Sequence, residues 1–111
     1  MAVAFNKNET KGVFKILISL MKVDGKIEKR EIDFLSSLTG TFGVDSTLLK
    51  DADLLEFDNA VTILKNLNDD QKQIVMSLML KMMDPNNSSN IKENRMYFDI
   101  ITRANFKMPG F

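Results

Sequence analysis

The chain has 111 residues, 44% of them hydrophobic and 27% charged, with five Gly and two Pro, the composition of one packed domain and not of a disordered tail. Fifteen Lys plus Arg balance fifteen Asp plus Glu, which argues against a nucleic-acid binder working by counterion release. Cys, His and Trp are absent, so disulfides, thiol chemistry, structural zinc and every mechanism with an imidazole base are excluded.

The opening MAVAFNKNETKG carries no basic segment followed by an apolar run, so a cytoplasmic protein is expected. Residues 1–10 and 106–111 read as loosely packed ends of a single domain spanning residues 1–111. Apolar spacing from about Lys11 to Val23 is helical and nearly circumferential, which predicts a central, buried helix. Asp24-Gly25 ends it, the glycine supplying a left-handed stop. A second helix starts near Glu28 and sets Ile32, Leu35, Leu38 and Phe42 on one stripe, with Lys29 and Asp33 paired on the solvent side and Gly40 and Gly43 at its close.

Asp45-Ser46 predicts a short third helix, and Asp58 is the expected cap of a fourth. Asn68 with Gln71 three residues on forms an amide-headed capping box for a fifth helix running to about Met83. Asp84-Pro85 breaks the chain, and a sixth helix from about Ile91 to Asn105 is expected to bring Met96, Phe98, Ile100 and Ile101 to the core. No stretch alternates as a half-buried strand does, and the apolar runs at Val13 to Val23 and Ile74 to Met83 are interrupted and too short to span a bilayer, so direct membrane insertion is not expected. The fold class is all-α, about six helices in a compact bundle.

The chain repeats itself weakly. An offset of 64 sets Ile27 on Ile91, Ile32 on Met96 and Phe34 on Phe98, while upstream an offset of 60 sets Ile16 on Met76 and Asp24 on Asp84. Two helix-loop-helix halves packed face to face, the second loop longer by four residues, explain both offsets.

Asp24-Gly25-Lys26-Ile27-Glu28-Lys29-Arg30-Glu31 matches the last eight places of a calcium EF-hand loop, but Leu20 and Lys22 stand where the earlier ligands belong. Around Asp84 the defect is the converse, with Arg95 at the closing place. A purely structural reading explains the octapeptide as well: Gly25 stops one helix, Ile27 enters the core, and Glu28 to Glu31 charge the first turn of the next. Met76, Met79 and Met83 share one helical face, which suits core filling better than a partner groove. Gly40-Thr41-Phe42-Gly43 is read as a helix stop, since it lacks the basic residue of a backbone-clamping loop.

The stretch Leu20-Met21-Lys22-Val23-Asp24-Gly25-Lys26-Ile27, followed by Glu31, Phe34 and Leu35, resembles the signature hairpin of the TerB-like tellurite-resistance family, which is related to the N-terminal domain of the membrane co-chaperone DjlA. Leu67-Asn68-Asp69-Asp70-Gln71-Lys72-Gln73 resembles that family's entry to its second half. The resemblance covers about residues 11–106 and implies an internally duplicated helical fold whose two loops bring acids together as a divalent-metal site, here Asp24, Glu31 and Asp84. Arg95 in place of a second glutamate implies a guanidinium ion-paired with Asp24 or Glu31 instead. The expectation is a non-enzymatic, stress-related binding module with a protein partner and no cofactor; a weak divalent-cation site on those acids is the alternative.

Overall fold

The computed structural model describes residues 4–23, 25, 27–83 and 91–106. Among them are six helices and no strand: α1 (Lys7–Lys22), α2 (Lys29–Phe42), α3 (Ser46–Leu54), α4 (Phe57–Lys65), α5 (Asp69–Met82) and α6 (Ile91–Arg103). The all-α bundle is as the spacing predicts. Helix α1 is its axis: it packs on α4, α3 and α5 and also touches α2 and α6, and nearly every residue from Thr10 to Met21 is buried. Gly12 lets α4 approach closely, because a Cβ there would lie 2.7 Å from Ile63 Cγ2.

Helix α1 starts earlier than its apolar run suggests. Asn6 Oδ1 accepts the Glu9 N–H at 2.7 Å and Glu9 Oε1 accepts the Asn6 N–H at 2.8 Å, a reciprocal capping box. The leading residues are tied in as well, since Phe5 packs edge-on to Phe42 and the Ala4 carbonyl accepts from Gln71. At the other end Phe106 is buried. The capping box at Asn68 and Gln71, the Asp45 cap and the exposed Lys29–Asp33 pair all form. Asp58 does not cap α4; Glu56 holds that position and Asp58 lies in the first turn.

Three apolar assignments change. Ile27 is 48% exposed and does not enter the core, and Ile32 is exposed too, so the buried side of α2 runs through Glu31, Leu35 and Leu38. On α6 the core residue is Tyr97 and not Phe98, at 6% and 54% exposure. Met76 and Met79 are core filling as expected, and Met82 joins them, whereas Met83 is only partly buried.

The duplication is present, in a different register. Adding 62 to a residue number carries the landmarks of residues 6–44 onto those of residues 68–106 without a gap. The N-caps Asn6 and Asn68 correspond, as do the capping-box partners Glu9 and Gln71. In the core Val13 falls on Val75, Leu17 on Met79, Leu20 on Met82, Leu35 on Tyr97 and Leu38 on Ile100, every one buried. The closing turns match too. Gly43 (φ 66°) and Asn105 (φ 58°) are both left-handed, and the next residues, Val44 and Phe106, donate to the carbonyls of Thr39 and Ile101 at 2.8 and 2.9 Å. The offset of 64 arose from matching Ile27 with Ile91 and Phe34 with Phe98, three of which are exposed, and the offset of 60 from matching Ile16 with Met76 and Asp24 with Asp84. Apolar identity at the surface outweighed the buried pattern, and no four-residue insertion is required.

The halves clasp by exchange: α1 meets α6, and α2 meets α5. At one end the equivalent residues Glu9 and Gln71 hydrogen-bond at 3.2 Å. At the other, Arg30, the second residue of α2, donates to the carbonyls of Lys81 and Met82 at 3.0 and 2.9 Å, filling acceptors that the last turn of α5 leaves open. The start of α2 therefore lies beside the end of α5, as twin clasped hairpins require.

Candidate functional site

Two places gather functional groups. The first lies where α1 gives way to α2, beside the end of α5. Asp24 and Asp84 lie outside the described residues, so the implied acid set is described only at Glu31. That residue is 3% exposed, and its Oε1 accepts the Glu28 N–H at 2.9 Å, which orders the first turn of α2. Gly25 adopts φ +80° with nothing within 4 Å of an added Cβ, so it is required for its conformation and not for space, as its role as a stop predicts.

Arg95 is exposed on α6 and makes no ion pair with Glu31, and its expected pairing with Asp24 lies outside the described residues. Arg30 is a described cation at this place, through its bonds to the end of α5. The register of 62 also moves the acid of the second half: the partner of Glu31 is Glu93, third in α6 as Glu31 is third in α2, and it is 8% exposed. Sequence reasoning missed Glu93 because it anchored the repeat on Ile91. The signal was there, since Glu93 follows the loop at the same distance into its helix.

A hard divalent cation takes six or more oxygen ligands, mainly carboxylates and carbonyls. Glu31 and Glu93 supply two buried carboxylates, the chemistry such an ion takes, while among the described residues no three acidic side chains gather.

The second place is a groove of about 380 Å³ between α1, α2 and α3. Its floor is Ile18 and Met21 from α1, Leu35 from α2 and Leu49 from α3. Lys22, Lys50 and Asp53 form the rim. Asp53 is surrounded by amines: Lys22 Nζ lies 3.3 Å from its Oδ1, and Lys15 Nζ donates to its backbone carbonyl at 2.9 Å. Lys50 has no acidic partner among the described residues. Asp45, at the head of α3, is turned onto the Leu48 N–H at 2.8 Å. The groove exists because α3 lies over α1, and no described helix lies over α5 in the same way. Ile18, under α3, is 5% exposed, whereas its register partner Leu80 is 44% exposed.

Fold and sites together define a duplicated, six-helix all-α module, and among its described residues no helix is long and apolar enough to cross a membrane. The chain is similar to a crystal structure of the protein of unknown function PG1108 from Porphyromonas gingivalis W83, with a TM-score of 0.80 and 23% identity over 96% of this chain and 90% of that one. At that identity the likeness concerns the fold. No family model matches the chain, and no curated protein does.

Proposed function

We propose that the chain is a small, non-enzymatic helical binding module, TerB-like in kind, that holds a partner protein in a stress-related response. The observation that carries this reading is the groove of about 380 Å³, with an apolar floor and an amine-rich rim. An apolar floor supplies affinity through burial, and a charged rim supplies selection, whereas a nucleophile set beside a base is what chemistry would need. The resemblance of the Leu20 to Ile27 hairpin to the TerB-like family supports the same reading. Affinity capture with the tagged full chain from its native host tests it. One protein retained in stoichiometric amount and released by untagged chain is expected, and nothing released by that competitor would contradict the reading.

A second reading, a divalent-cation domain, is favoured by one observation: the buried carboxylates Glu31 and Glu93 occupy matched places beside the two bends. Calcium, magnesium, manganese and zinc titrations followed by melting temperature test it. An ion at a hundredfold excess over its dissociation constant adds about 2.7 kcal/mol. That gain should vanish in both Glu31→Gln and Glu93→Gln, and no shift with any ion ends this reading.

A further inference from the structure

We infer that the groove between α1, α2 and α3 takes an amphipathic helix of a partner protein that carries acidic residues beside its apolar stripe; this rests on the binding-module reading and gives it a surface and a partner chemistry. Three helices form a trough whose floor, Ile18, Met21, Leu35 and Leu49, is apolar throughout, the kind of surface onto which an amphipathic helix lays its apolar face. Met21 adds a flexible thioether that adapts to the side chain it meets.

The charge of the rim selects the occupant. Two amines, those of Lys22 and Lys50, share the rim with one carboxylate, Asp53, which already pairs with Lys22, while Lys15 is held by the Asp53 backbone carbonyl. The excess is positive and Lys50 is its uncommitted member, so carboxylates flanking an incoming apolar stripe are attracted and amines are repelled.

The test uses the isotope-labelled full chain and two synthetic amphipathic helices that share one leucine stripe, flanked by glutamates in one and by lysines in the other. The glutamate peptide is expected to shift the methyl resonances of Ile18, Leu35 and Leu49. Lys50→Glu, at an exposed position, should keep the melting temperature, weaken the glutamate peptide about tenfold and strengthen the lysine peptide. Equal binding of the two peptides, indifference to Lys50→Glu, shifts confined to Leu80 and Phe98, or no binding of either peptide would each overturn the inference. A host protein captured alike by parent and Lys50→Glu would remove this groove assignment and leave the binding-module reading standing. Peptide binding in the groove without any captured protein would do the reverse.

Discussion

Residues 6–44 and 68–106 follow one register from N-cap to closing turn, yet they present different surfaces. The first half is followed by α3 and α4, which roof α1; the second ends at Phe106 among the described residues. Where α4 descends, the first half has Gly12 and the second Ile74. Where α3 descends, Ile18 is covered and Leu80 is bare. Duplication explains the core, and departure from it makes the groove. A duplicated fold therefore locates its specialised surface where the copies disagree.

The comparison is tested most strongly in the shared core. Leu17 and Met79 are register partners, both fully buried, so Leu17→Ala and Met79→Ala should each cost about 2–5 kcal/mol in denaturant melts. A loss below ~1 kcal/mol at either one would show that the halves do not share a core layer. The asymmetric contact comes next. Gly12→Ala must displace Ile63 and should destabilise by about 1–3 kcal/mol, whereas Gly40→Ala, with open space around it, should stabilise by up to ~1 kcal/mol. Stabilisation at both glycines would mean that α4 does not press on α1.

The closing turns sharpen the register itself. Because Gly43 and Asn105 do the same left-handed work, Asn105→Gly should stabilise slightly, by roughly 0.5 kcal/mol, and Gly43→Asn should cost less than Gly43→Ala. The smallest effect is spectroscopic. Tyr97 is the one tyrosine in the chain, and burial raises its phenol above the ordinary 10.0. Since the folded value is the higher, its contribution is fully present below the unfolded value and is lost as pH rises through the folded one. A phenolate absorbance titration should have its midpoint above 10.0 in the folded chain, and an ordinary midpoint would return Phe98 to the core in its place.

Much of this was legible in the sequence wherever local chemistry decides. Asn68 with Gln71, Asp45-Ser46, Gly25 and Gly43 read correctly because caps and left-handed stops depend on one or two side chains and the adjoining backbone. Partners across the bundle were not legible. Ile27, Ile32 and Phe98 looked like core because apolar spacing shows which face of a helix is greasy, not which face meets a neighbour. The role of Arg30 was not legible either, since its acceptors are backbone carbonyls some fifty residues away, at Lys81 and Met82. Glu93 went unseen for the same reason, its significance lying in its match to Glu31 and not in its neighbours. The groove was likewise invisible, because its walls come from three helices whose mutual placement no single segment encodes.

The duplication is tested by one superposition. An experimental structure in which residues 6–44 are laid on residues 68–106 by unbiased alignment should give an offset of 62 throughout, with Glu31 over Glu93, Gly43 over Asn105 and α3 roofing the first copy alone. A best fit at any other offset, or a break in register between α5 and α6, would contradict it.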